Sequence, residues 1–322
     1  MSPPPKKPRE PFTIAGTQVR AGKRQRIELP VARLPTGTPL SLPITVVHGS
    51  AEGPVCWLSA AIHGDELNGV EIIRRVLEEV SSKTINGTIL ATPIVNVFGF
   101  IEQTRYLPDR RDLNRMFPGS PRGSLGSRLA ALFMREVVSR SQFGIDLHTA
   151  SNNRTNLPQV RANLDDEETS RLAEAFGAIV TLHAGERDGS LRQAASRKGI
   201  PTLLYEAGEA QRFNEEAIEA GVAGVLRVLH ALEMTSVDVP SPEGPLLRAR
   251  SSHWARASTS GILGLTVGLG DPVEEGQPLG RIRDAFGEGR AVMRARRAGR
   301  IIGMTTNPLV HRGEAVLHIA HT

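Results

Sequence analysis

The sequence predicts an α/β protein: a mostly parallel sheet with helices on both faces, followed by a small all-β domain, a barrel or sandwich. Three observations carry that expectation. From residue 55 onward, short apolar runs alternate with segments whose apolar residues recur at helical spacing, as in a parallel sheet covered on both sides. After residue 245 the helical spacing ends, and Gly261, Gly264, Gly268, Gly270, Gly276 and Gly280 separate short apolar runs, as in closely turned strands. Between the two, residues 235–245 contain Pro240, Pro242 and Pro245 and read as a linker. The expected organisation is a disordered tail over 1–12, an α/β domain over 13–234 with edge strands in 13–48, the linker, and the all-β domain over 246–322.

Residues 26–29 and 44–47 are short apolar runs divided by Pro30, Pro35, Pro39 and Pro43, and read as a leading pair of edge strands. A buried strand follows over 55–62. In the next helix, 67–80, Ile72, Ile73, Val76, Leu77 and Val80 share one face. Strand 88–95 leads into a long irregular segment, 96–119. Helix 124–139, strand 143–149, helix 166–176, strand 179–182, a short helix over 190–197, strand 201–207 and helix 214–233 complete the alternation. In the last domain the runs 263–267, 279–282 and 316–319 are the strands expected.

Composition narrows the function. The chain has 322 residues, 39% hydrophobic and 23% charged, the profile of an ordinary globular protein with room for a large core. No apolar stretch reaches the length of a membrane span, and the amino terminus has no apolar segment behind its charges, so neither a membrane partner nor a secretory signal is expected. Cys56 is the only cysteine, which fits a reduced, cytoplasmic setting, and its apolar neighbours mark it as a core residue. The net charge of +5 comes with arginines spread along the whole chain; only Lys6, Lys7, Lys23, Lys83 and Lys198 are lysine. The densest basic cluster, Arg294, Arg296, Arg297 and Arg300, has no interleaved aromatics for base stacking, so no nucleic-acid partner is expected.

The chemistry-bearing residues fall at predicted strand ends. His63 and Glu66 sit in the turn after strand 55–62, where open α/β sheets bind ligands. Alone, His-x-x-Glu also recurs on solvated helix faces. His148 closes strand 143–149, and the set His63, Glu66 and His148 has the composition of a catalytic zinc site, three protein ligands with a fourth position open. The irregular segment carries Arg105, Asp112, Asn114 and Arg115; an arginine fork and an amide donor together suit a carboxylate. Glu206 ends the apolar strand 201–207, where a metal and partial desolvation would tune it as a general base.

Read together, His63-Gly-Asp-Glu66, Asp112-Leu-Asn-Arg115, Asp146-Leu-His148-Thr and Tyr205-Glu206-Ala-Gly resemble the succinylglutamate desuccinylase/aspartoacylase family of zinc carboxypeptidase-like hydrolases. The resemblance runs from about residue 43 to the carboxyl terminus. It implies one zinc per chain held by His63, Glu66 and His148, with Asp112 orienting His63. Asn114 and Arg115 would grip the substrate carboxylate, Arg105 would stabilise the oxyanion, with Arg110 and Arg111 as rivals, and Glu206 would shuttle the proton to the leaving nitrogen. The implied activity is removal of an acyl group from a small N-acyl amino acid, N-acetylated diamino acids included. Alternatives are a carboxypeptidase-like action on a short peptide or amide, and a binding protein that has lost the chemistry. The last domain resembles the barrel-sandwich hybrid of biotinyl and lipoyl carriers, but no lysine follows Lys198, which excludes a swinging arm and leaves a structural, lid or assembly role; the chain also leaves room for a homo-oligomer.

Overall fold

The computed structural model describes residues 9–242, 246–289 and 291–322. A small hairpin, β1 (Phe12–Ile14) and β2 (Thr17–Val19), precedes the long antiparallel pair β3 (Lys23–Arg33) and β4 (Pro39–His48). The alternating region follows as β5 (Ala51–Ala60), α1 (Asn68–Glu79), β6 (Asn86–Thr92), α2 (Val97–Glu102), α3 (Leu125–Glu136), β7 (Phe143–Ala150), β8 (Arg154–Ala162), α4 (Glu167–Phe176), β9 (Val180–His183), α5 (Leu191–Ser196), β10 (Thr202–Glu209) and α6 (Glu215–Ala231). The carboxyl-terminal part is all strand: β11 (Leu247–Ala249), β12 (Ser251–Arg256), β13 (Gly261–Leu265), β14 (Pro272–Val273), β15 (Pro278–Arg283), β16 (Ala291–Arg294), β17 (Gly299–Thr305), β18 (Leu309–Val310) and β19 (Ala315–His321).

At the centre β6, β5, β7 and β10 run parallel, flanked by the antiparallel neighbours β4 and β8. All eight residues of β7 are buried, because helices cover both faces of a central parallel strand. One layer packs α1, α4 and α6 through Ile72, Ile73, Val76, Phe176, Ile218 and Val225. The opposite layer brings Phe133 of α3 and Leu191 of α5 against Trp57 and Leu90. The helices start where the sequence supplies side-chain acceptors: Ser124, Asp166, Ser190 and Asn214 each take a backbone N–H three residues on. Cys56 is buried in β5, and burial pushes its thiol well above the usual range, in keeping with a core residue.

Several expectations change. The expected tail over 1–12 is too long: Arg9 reaches the carbonyls of Gly49 and Gly87, His48 bonds the carbonyl of Glu10, and Phe12 begins β1; residues 1–8 lie outside the described residues. Strand β8 has no counterpart in the sequence reading, because its polar residues and Pro158 hide the alternation. The irregular segment holds α2 and a 3-10 turn, Leu113–Arg115. Of the expected linker, residues 235–242 carry no helix or strand and 243–245 lie outside the described residues.

The carboxyl-terminal β domain has its own core, with Leu279, Ile301, Val316, Leu317 and Ile319 at its centre. Its strands nevertheless continue the main sheet: β17 pairs antiparallel with β8, and β11 pairs parallel with β9. The result is one sheet of thirteen strands among the described residues. No described helix is long and apolar enough to cross a membrane.

Trp57 and Phe133 meet edge to face with ring centroids 6.0 Å apart, and both are fully buried. Phe133→Ala is expected to destabilise the fold by about 3–5 kcal/mol, the usual cost of an uncollapsed aromatic cavity. Urea unfolding followed by tryptophan fluorescence measures it; a loss below ~1 kcal/mol would mean that the layer between α3 and the sheet repacks freely.

Candidate active site

At the carboxyl ends of β5 and β7 the chain turns three polar side chains inward. It leaves β5 through Ala61, whose φ of +46° is in the left-handed region, and enters the His63–Glu66 turn. Gly64 is required there: a Cβ on it would lie 1.9 Å from the backbone carbon of Gly99 at the start of α2. His148 comes from β7, one strand away.

His63, Glu66 and His148 are 4%, 2% and 4% exposed, and one ligand atom from each lies within 4.8 Å of the others. Glu66 stands between the imidazoles: its Oε1 is 2.7 Å from His63 Nδ1 and its Oε2 is 2.7 Å from His148 Nδ1. The far nitrogens have carboxylates of their own. His63 Nε2 is 3.1 Å from Asp112 Oδ1, and His148 Nε2 is 2.8 Å from Asp146 Oδ2. Ser59 donates to the other oxygen of Asp146 at 2.6 Å, and Arg105 donates to the other oxygen of Asp112 at 2.9 Å.

Burial works against charge on each of these groups, but their mutual attraction outweighs it. Glu66 is driven below the usual carboxylate range by the two imidazoles. His63 is raised by Glu66 and Asp112, and His148 is raised well above its usual value by Asp146 and Glu66. The Nδ1 atoms of both rings and the carboxylate of Glu66 face one another, so a divalent cation would be held by these three atoms, with Asp112 and Asp146 at the far nitrogens. This donor set suits zinc: two imidazole nitrogens and a carboxylate, with the ring orientations fixed from behind.

The sequence-derived site residues converge on this point. Asp112 lies behind His63. Arg105 bridges Asp112, Ser151 Oγ at 2.9 Å and Glu66 at 3.4 Å, whereas its rivals Arg110 and Arg111 are exposed and do not line the cavity. Asn114 uses Oδ1 to accept the amide N–H of Leu191 at 2.9 Å, leaving its NH2 group for a ligand. Arg115 lines the cavity with no carboxylate within salt-bridge distance among the described residues. Glu206 on β10 is in register with His148 on the adjacent parallel strand and lines the same cavity, of about 690 Å³.

Other residues of the site were not foreseen. Asp146 was seen only as part of a motif, although its place two residues before His148 on a strand puts both side chains on one face. Asn156 and Arg161 of the unforeseen β8 bind Glu206. Ser252, Trp254 and His318 of the carboxyl-terminal domain also line the cavity, and no local pattern points to them.

The family model for the succinylglutamate desuccinylase/aspartoacylase catalytic domain matches residues 52–232, more than half of the chain. The chain belongs to this family. It is 29% identical over 292 residues to N-alpha-acetyl-L-2,4-diaminobutyric acid deacetylase of Halomonas elongata, covering 87% of this chain and 85% of that protein. It is 26% identical over 212 residues to succinylglutamate desuccinylase of Burkholderia lata, covering 58% of each. Among solved structures, a succinylglutamate desuccinylase/aspartoacylase from Rhodobacter sphaeroides superposes with a TM-score of 0.83 at 26% identity, covering 92% of this chain and 95% of that one. The product-bound ectoine utilization protein EutE (DoeB) of Ruegeria pomeroyi shares the fold, with a TM-score of 0.85 at 22% identity over 98% of this chain and 99% of that one. The relatives from Halomonas elongata and Burkholderia lata are named as a deacetylase and a desuccinylase, and this chain carries the buried His63–Glu66–His148 group.

Removing either imidazole leaves two ligand atoms, so His63→Ala and His148→Ala are expected to abolish stoichiometric zinc binding. Asp146→Ala keeps the ligands but frees the ring of His148, and should weaken zinc affinity by about 10–100-fold. Competitive chelator titration reads both effects, and wild-type affinity in Asp146→Ala would remove the orienting role of that carboxylate.

Proposed function

We propose that this chain is a cytoplasmic zinc-dependent deacylase that hydrolyses the amide bond of an N-acyl amino acid. The observation that carries the reading is the juxtaposition, in one cavity, of the His63–Glu66–His148 donor set, the Glu206 carboxylate and the Asn114–Arg115 pair. His63 Nδ1, Glu66 and His148 Nδ1 are the atoms that would hold the metal. When bound, zinc supplies Lewis acidity toward the acyl carbonyl and lowers the pKa of a water.

The chain's own groups do the rest. Glu206 takes a proton from the attacking water and passes it to the leaving nitrogen. Arg105, fixed by Asp112 and Ser151, aims its guanidinium at the charge that develops on the carbonyl oxygen. Arg115 and the Asn114 amide hold the substrate carboxylate, which fixes the amide bond relative to Glu206.

The charge of the cavity bears on the acylated amino acid. Seven arginines line it, Arg105, Arg115, Arg154, Arg161, Arg187, Arg192 and Arg250, against the carboxylates of Glu66 and Glu206. Burial, and after it the neighbouring Arg161 and Arg115, lower the pKa of Arg187. Such a lining favours a substrate with net negative charge. The relative from Halomonas elongata acts on an acetylated diaminobutyrate, whose free ammonium would meet few acidic partners here. N-acetylated diamino acids thus rank below N-acyl acidic amino acids.

A panel of N-acyl amino acids with the zinc-loaded enzyme tests the class: kcat/KM should be highest for acidic members, and a clear preference for N-acetyldiaminobutyrate would overturn the charge argument. Glu206→Gln preserves shape and cannot take the proton, so it should keep zinc while kcat falls by at least ~10²-fold. Loss of zinc from that variant would make Glu206 a ligand, contrary to the reading.

A further inference from the structure

Strand β8 contains a register break beside Glu206. Arg161 pairs with Leu204 and Gln159 with Glu206, but Asn156 pairs with Gly208, so three steps along β8 match two along β10. The extra residue is a β-bulge next to Pro158, where a strand can accept a missing N–H. Its consequence is a change of phase. Side chains of a regular strand alternate faces, so Asn156 and Arg161, five positions apart, would point to opposite sides. With the bulge, both line the cavity and both reach Glu206.

They hold the carboxylate at both oxygens. Asn156 donates its amide N–H to Glu206 Oε2 at 2.5 Å, and Arg161 lies 3.3 Å from Oε1. A carboxylate only accepts, so the nitrogen end of the Asn156 amide must face Glu206, and the Oδ1 end must lie elsewhere. It lies over Gly303 of β17, which pairs with Asn156 on one side and His318 on the other. A Cβ on Gly303 would fall 2.6 Å from Asn156 Oδ1 and 3.3 Å from His318 Cβ. Asn156 is itself buried, and Glu206 fixes its amide with the NH2 group toward the carboxylate and Oδ1 toward Gly303.

We propose that Asn156 is a positioning residue for Glu206, and that Gly303 of the carboxyl-terminal domain supplies the space that lets it act. The proposal rests on the reading of Glu206 as the base. In so large a cavity an untethered glutamate would sample several rotamers, and a displacement of about 1 Å from the productive geometry can cost ~10²-fold in rate. The bulge and the glycine give the carboxylate one aim. Asn156 acts through Glu206 and not on the substrate carboxylate, so its removal affects turnover and not binding.

The test is a double-mutant cycle on full-length, zinc-loaded enzyme, with Glu206→Gln alongside. Asn156→Ala and Gly303→Ala should each lower kcat by about 10-fold or more. KM, zinc content, the urea midpoint and the affinity for the product amino acid by calorimetry should stay near wild-type values. The double variant should be no slower than Asn156→Ala, because the new methyl group meets no Oδ1 once the amide is gone. Additive losses, or wild-type kcat in Asn156→Ala while Glu206→Gln is inactive, would overturn the positioning role alone. Near-normal turnover in Glu206→Gln would instead overturn the assignment of the base on which the proposal stands.

Discussion

The contact on which the site depends is the Glu66 carboxylate held between His63 Nδ1 and His148 Nδ1. All three groups are almost completely withdrawn from solvent, where an unpaired charge is costly. The fold meets that cost with a chain of pairings: Asp112 behind one ring, Asp146 behind the other, Arg105 and Ser59 behind those, and the amide of Thr149 donating to Glu66 at 3.1 Å. The partners come from three places, the end of β5 with the turn after it, the end of β7, and the segment between α2 and α3. The parallel pair β5 and β7 must therefore be in register before the two rings and Glu66 can meet.

The same dependence explains the long segment between α2 and α3. It delivers Arg105, Asn114 and Arg115 to the cavity and Asp112 to the back of His63, and Leu107, Leu113 and Phe117 anchor it in the core. Polar reach and apolar anchoring alternate along it, so a stretch without regular periodicity is nevertheless fixed in place.

The carboxyl-terminal domain contributes to the cavity wall as well as to the sheet. Because β17 extends the main sheet through β8, strands β12 and β19 carry Ser252, Trp254 and His318 to the cavity wall. His318 stacks flat on Trp254, centroids 4.6 Å apart, while the Arg154 guanidinium lies 5.2 Å above the ring. Burial, with Arg161 and Arg187 adding to it, lowers the His318 pKa to about 3, so it presents a neutral ring amid cations. The domain thus closes the cavity as well as extending the sheet.

The sequence by itself determined the α/β alternation, the all-β end and the candidate ligand set, because each is marked by local patterns. Apolar periodicity marks a buried face, and His63, Glu66, His148 and Glu206 stand at the ends of apolar runs where a parallel sheet places its ligands. Tertiary structure alone decided which arginine of the 105–111 segment faces Glu66, since all three occur in one loop and only its path separates them. It also decided the existence of β8, whose polar side chains serve the cavity and so erase the apolar signal by which a strand is recognised. The joining of the two regions into one sheet, and the meeting of Asn156 with Gly303 across 147 positions of chain, follow from strand pairing. Pairing is a relation between distant backbones, and no local pattern of side chains records it.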